Sequence, residues 1–172
     1  MKLNFVINGL VILIILAAFP NASQAGKTYF NLEEAINHPD SVEKLVLRRQ
    51  KLKSIPEQIR KFKHLKTLDL GRNYIDQIPS WLAELTELEV IVLDNNSLES
   101  ISPELCQVKS LKKLDVWNNN LGYFSDDLAQ LTHLEVFDLR AILIDQDQQN
   151  TISKLLPHTK IYFSPACRCK TQ

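Results

Sequence analysis

A 23-residue period runs through most of this 172-residue chain and limits its fold more than any other feature. Ser41–Lys63 reads SVEKLVLRRQKLKSIPEQIRKFK, and His64–Thr86 reads HLKTLDLGRNYIDQIPSWLAELT. Glu87–Lys109 (ELEVIVLDNNSLESISPELCQVK) and Ser110–Thr132 (SLKKLDVWNNNLGYFSDDLAQLT) follow without insertion or deletion. His133 opens a fifth copy, HLEVFDLRAILI, which departs after Ile144. Apolar residues recur at one spacing, as Leu65, Leu68, Leu70, Ile75, Ile78, Leu82 and Leu85 do in the second unit. One such unit has nothing to bury these side chains against. Stacked neighbours supply the missing surface, and about three units are needed. The L-x-L alternation suits a short strand buried on one face. Asn73, Asn96 and Asn119 share one position, which predicts a ladder of amides bonded to turn backbone, as buried polar groups require. Gln50 and Ile142 replace that Asn in the first and fifth units, so the ladder should fray at both ends.

The pattern L-x-x-L-x-L-x-x-N-x-L, met by Leu65, Leu68, Leu70, Asn73 and Ile75, resembles the leucine-rich repeat family. The pairs Ile55-Pro56 and Ile78-Pro79 resemble its typical 23-residue, Ras-suppressor-like class. The resemblance implies an α/β fold: a short curved horseshoe-shaped solenoid with one parallel strand per repeat and helical caps at both ends. Its five repeats are 41–63, 64–86, 87–109, 110–132 and a partial 133–144. Residues 26–40 form the N-terminal cap, where Asn31-Leu-Glu-Glu34 fits a helix start and His38-Pro39 a stop. Residues 145–172 form the C-terminal cap and a Cys-containing tail. There Asp145 to Gln148 starts a helix that ends at Pro157, and Ile161 to Phe163 reads as an extended edge segment. This ending, with Ser164-Pro165 and Cys167-x-Cys169, is similar to the cap of small secreted bacterial leucine-rich repeat proteins.

Residues 1–25 read as a separate unit, a cleavable secretory signal peptide: Lys2, the apolar run Leu10–Phe19, then small Ser23 and Ala25 before the cleavage point. The run is shorter than the ~20 apolar residues of a transmembrane helix, so no membrane span is expected once it is removed. The first Cys after it is Cys106, which excludes lipid attachment at a processed N-terminal Cys. The expected location is outside the cytoplasm: periplasm, cell surface or secreted. Lys+Arg and Asp+Glu balance at 20 each, which argues against a nucleic-acid binder.

In such strands alternate residues enter the core and the others point to solvent on the concave face. By repeat these make five columns, the third being Arg48, Gly71, Asp94, Trp117 and Arg140. An exposed Trp117 flanked by Val90, Val92 and Val136 has the composition of an interface hot spot. The expected function is therefore non-enzymatic binding of a protein partner on the concave face. Trp117 is the anchor, with Tyr74, Val90, Val92, Asp94, Asp115, Asp138, Arg140, Arg48 and Arg72 around it. Residues 44–66 hold nine basic side chains against Glu57 alone, and residues 67–115 hold nine acids. This asymmetry suits steering of an anionic glycan or acidic protein. It also suits a structural, self-associating envelope protein, although charge runs mostly mean a solvated surface. Asp115 and Asp138 would lie about 4.8 Å apart on neighbouring strands, a spacing compatible with a paired-carboxylate hydrolase. Lys113 and Arg140 alongside favour a salt-bridge ladder over that remote alternative. No cofactor or metal set is read: His64 and His133 are three units apart, and Cys106 takes the core position of Ala83 and Ala129.

Overall fold

The computed structural model describes residues 27–166 and, before them, only an antiparallel pair of short strands, Val6–Ile7 and Leu10–Val11. The expected signal segment otherwise lies outside the described residues, as do Cys167 and Cys169. Seven parallel strands form one open sheet in sequential order: β1 Lys27–Tyr29, β2 Val42–Val46, β3 Thr67–Asp69, β4 Val90–Val92, β5 Lys113–Asp115, β6 Val136–Leu139 and β7 Lys160–Phe163. Each of the five repeats contributes one strand. Lys44, Thr67, Val90, Lys113 and Val136 are direct partners along the sheet, so the 23-residue spacing is kept without a slip.

The sheet is two strands wider than the repeats. Strand β7 is the extended segment anticipated at the C-terminal edge. Strand β1 was not anticipated, because its three residues carry no period. It is held by buried Tyr29, whose hydroxyl hydrogen-bonds to the Ser41 hydroxyl at 2.7 Å. The helices α1 Leu32–Ile36 and α2 Gln146–Leu155 lie in the chain before and after the repeats. Asn31 Oδ1 accepts from the amides of Glu33 and Glu34, and Asp145 and Gln148 make a reciprocal capping box. Within the repeats the return segments are 3₁₀ turns: Glu57–Lys61, Ser80–Glu84, Leu105–Gln107 and Asp126–Gln130. A 3₁₀ turn rises faster per residue than an α-helix, so a few residues span the back of each coil. Pro56 and Pro79 stand at the N-caps of the first two with extended backbone, where a missing N–H costs nothing.

Leu45, Leu68, Ile91, Leu114 and Phe137 form one fully buried row beneath the sheet. Stacking is what buries them, as the repeat logic requires. The Asn ladder holds the turn edge. Asn73 Nδ2 donates to the carbonyls of Leu47 (2.9 Å) and Leu70 (2.7 Å), while its Oδ1 accepts from the amides of Gln50 (2.9 Å) and Leu52 (3.1 Å). Asn119 joins Leu93 O, Val116 O and Leu98 N in the same way. Asn96 joins Leu70 O, Leu93 O and Ile75 N. Each amide thus ties two successive coils together. At the starts of the strands, Glu43, Lys66, Glu89, Lys112 and Glu135 form a column of alternating charge, with ion pairs Lys66–Glu43 at 3.2 Å and Lys112–Glu89 at 3.0 Å.

Candidate binding face

The strand register places Asp69, Val92, Asp115 and Asp138 side by side in one column, as expected, and extends that column to Tyr162 on the cap strand. The charges on this face are mostly spent on one another. Arg48 reaches past the next coil: Nη1 contacts Asp69 Oδ1 (2.8 Å) and Asp94 Oδ1 (2.7 Å), and Nη2 contacts Asp94 Oδ2 (2.9 Å). The path crosses Gly71, where a Cβ would collide with the guanidinium and with the Asp94 carboxylate. Burial of Asp94 would raise its pKa. The hydrogen bonds from Arg48 and Asn95 and the charges of Arg48 and Arg72 outweigh that and hold it below the usual value. At the other end Arg140 takes both oxygens of Asp138, with Nε at 2.9 Å from Oδ1 and Nη2 at 2.6 Å from Oδ2. Arg140 also lies over the Tyr162 ring at 5.5 Å, and Lys160 does so at 5.0 Å.

Several expectations need correction against this geometry. Asp94 and Asp138 are buried within ion pairs and are not free contact residues, because each neighbours an arginine in reach. The salt-bridge ladder is incomplete: Arg140 pairs with Asp138, but Lys113 forms no ion pair with Asp115. Asp138, one of the two aspartates of the remote hydrolase alternative, is held by Arg140. Trp117 is half-buried and not exposed. Val90, Val92 and Val136 are half-buried as well, with Val90 and Val136 in register with Lys113.

The fourth column does not lie on the strand face. Arg49, Arg72, Asn95, Asn118 and Ala141 all have φ between 53° and 59°, the left-handed turn where the chain leaves the sheet. Arg72 and Tyr74 therefore sit on the turn edge, and Tyr74 is exposed there. The basic block is likewise partly neutralised: Arg48 by Asp69 and Asp94, Arg60 by Glu84, and Lys66 by Glu43.

Reading by repeat missed Gly71 and Tyr162. Gly71 had a signal, since it is the one residue without a side chain in a column of large polar ones. Tyr162 had the alternation of Ile161 and Phe163 around it, both of which pack on the core.

The remaining chemistry is sparse. Among the described residues no three His, Cys, Asp or Glu are grouped to hold a metal ion. A cleft of about 290 Å³ lies between the last coil and α2, lined in part by Leu131, Leu156 and His158, away from the concave face. Cys106 is buried, and burial pushes its thiol up to about 11. In a Cys167→Ser/Cys169→Ser background, Cys106 should resist iodoacetamide at pH 8 in the folded protein and alkylate fully in denaturant, read by mass spectrometry. Rapid native labelling would show that the site opens locally.

Residues 43–159 match the family model described as a leucine-rich repeat region. No protein of curated function matches the chain. Among solved structures it is similar to a leucine-rich repeat protein of Leptospira interrogans, with 27% identity, a TM-score of 0.71, and coverage of 79% of this chain and 35% of that one. It is similar to internalin C2 of Listeria monocytogenes (23% identity, TM-score 0.64, coverage 81% and 61%). It is also similar to the plant peptide hormone receptor RGFR1, solved in complex with RGF2 (26% identity, TM-score 0.51, coverage 69% and 19%). The chain thus spans less than two thirds of the length of each of these three proteins. With a repeat match over most of its length and a parallel sheet built one strand per repeat, the chain belongs to the leucine-rich repeat family.

Proposed function

We propose that the chain is an exported, non-enzymatic recognition module that holds a protein partner on its concave face. The observation that carries this is the group of half-buried Val90, Val92, Val136 and Trp117 on one open strand face, with Lys113 and Asp115 among them, between two arginine–aspartate networks. An aromatic with small aliphatics inside a polar rim is the composition of an interface core. Family membership supports binding in general and leaves the partner to the site itself. The receptor relative, solved with RGF2, is in line with a polypeptide occupant. Export rests on Lys2, Leu10–Phe19, Ser23 and Ala25, and no described helix is long and apolar enough to cross a membrane.

Affinity capture from host envelope and surface extracts with residues 26–172, followed by titration of the captured protein, tests the reading. Val92→Glu and Trp117→Ala should each weaken that protein's binding at least about tenfold, the size of a hot-spot loss, with an unchanged circular dichroism spectrum. Equal affinity for parent and both variants would remove the concave face as the site.

A further inference from the structure

Four carboxylates lie on the concave face, and three have a cation. Asp69 and Asp94 share Arg48, and Asp138 has Arg140. Asp115, in the middle of the face, has no basic group within 4.0 Å among the described residues; its one hydrogen bond comes from its own coil, Trp117 N at 3.3 Å. The cations nearby are committed. Arg48 is held between two aspartates, and Arg140 is held by Asp138 and the Tyr162 ring. Lys113, two residues earlier on the same strand, acts on Asp115 only from beyond ion-pair distance. Asp138 is its direct strand partner and Asp94 belongs to the preceding coil. Burial, then the charges of Asp138 and Asp94, push its pKa up against the Trp117 amide and Lys113. A half-buried carboxylate left this way is a cost to the fold.

The surroundings suit one kind of occupant. Trp117 stands two residues along the same side of the chain, and an indole face attracts a guanidinium or ammonium. Val90 and Val92, on the neighbouring strand, offer apolar surface to the methylene stem of such a side chain. A docked partner would also exclude water, which strengthens a charge-assisted hydrogen bond.

Building on the concave-face reading above, we propose that the partner is an extended polypeptide segment that sets an Arg or Lys side chain against Asp115, with its stem over Val92 and its cationic head beside Trp117. The partner's cation completes the charge network between Arg48 and Arg140. The unpaired aspartate is kept for binding at the expense of stability.

The probe is a displayed library of random twelve-residue peptides selected on residues 26–172. The enriched sequences should share one Arg or Lys flanked by apolar residues. The synthetic consensus peptide should lose at least about tenfold in affinity on Asp115→Asn, and as much when its own Arg is replaced by citrulline or its Lys by norleucine. The two changes together should cost little more than either alone. Free of peptide, Asp115→Asn should melt about 2 °C higher than the parent, whereas a purely structural Asp115 would make it melt lower. Enrichment without a basic residue, no enrichment at all, or a consensus peptide indifferent to Asp115→Asn overturns the proposal. A peptide lost with Val92→Glu but indifferent to Asp115→Asn leaves the concave face standing and removes only the cation. One indifferent to Val92→Glu, Trp117→Ala and Asp115→Asn removes both.

Discussion

Asn73→Ala should destabilise the fold by about 4 kcal/mol, far beyond an ordinary surface change. The side chain is buried and makes five hydrogen bonds, donating to three carbonyls and accepting from two amides across two coils. Truncation leaves the Leu47 carbonyl and the Gln50 and Leu52 amides without that partner, at roughly 1–3 kcal/mol for each one that water does not reach, while Leu70 O keeps Asn96 Nδ2. Asn96→Ala is the internal control. Asn96 is half-buried, so water replaces more of what is lost, and about half the effect is expected. Urea unfolding followed by circular dichroism measures both. Equal losses at the two positions would mean that water enters the whole turn edge. A loss under about 1 kcal/mol at Asn73 would mean that the amide is dispensable.

Arg48→Ala and Gly71→Ala should produce nearly the same defect by different routes. Removing Arg48 leaves Asp94, 6% exposed, without an ion-pair partner and with only the Asn95 hydrogen bond on its carboxylate. Breaking a buried pair costs about 3–5 kcal/mol. The Arg48 side chain is 31% exposed, so solvent screening lowers the expectation to about 2 kcal/mol. Gly71→Ala keeps every charge but puts a methyl group where the guanidinium and the Asp94 carboxylate pass, which evicts the arginine. The double variant should therefore be little worse than either single one, whereas independent sites would add.

Acid should narrow the gap. Asp94 has a depressed folded-state pKa, so the parent's stabilisation is complete above the unfolded carboxyl value of about 3.9. It is lost as the pH falls through the lower folded value. Without Arg48 only the Asn95 hydrogen bond and the charge of Arg72 oppose burial, so the folded pKa rises above the parent's. The variant is then relieved as soon as Asp94 protonates. The difference between the two proteins should begin to shrink as the pH falls through the variant's folded value and vanish below the parent's. A gap that persists in acid would assign the defect to packing of the arginine stem and not to charge.

The repeat made the strand columns, the buried row and the Asn ladder legible, because a fixed period repeats every local error or confirms it four times. Lys44, Thr67, Val90, Lys113 and Val136 fell into register for that reason alone. What the period could not show was how far each position lies from the strand. Arg72 and Tyr74 share the periodic spacing of the face residues, but a left-handed turn intervenes and moves them to the edge. Long side chains escaped it too. Periodicity assigns Arg48 to the first coil, whereas its charge acts in the third. Strand β1 escaped because three residues without a repeat partner leave only burial of Tyr29 to mark them, and burial is not visible in a sequence.

The alternating column Glu43, Lys66, Glu89, Lys112 and Glu135 bears on how such a chain can change its copy number. Excision or duplication of one internal coil would set two glutamates or two lysines next to each other. Gain or loss of coils in twos would restore attraction at every step. Like charges on adjacent strands repel by tenths of a kcal/mol to about 1 kcal/mol, a small bias on any one event. Over repeated recombination it favours lineages that grow and shrink by pairs. It also penalises a nascent chain in which one coil stacks on the wrong neighbour.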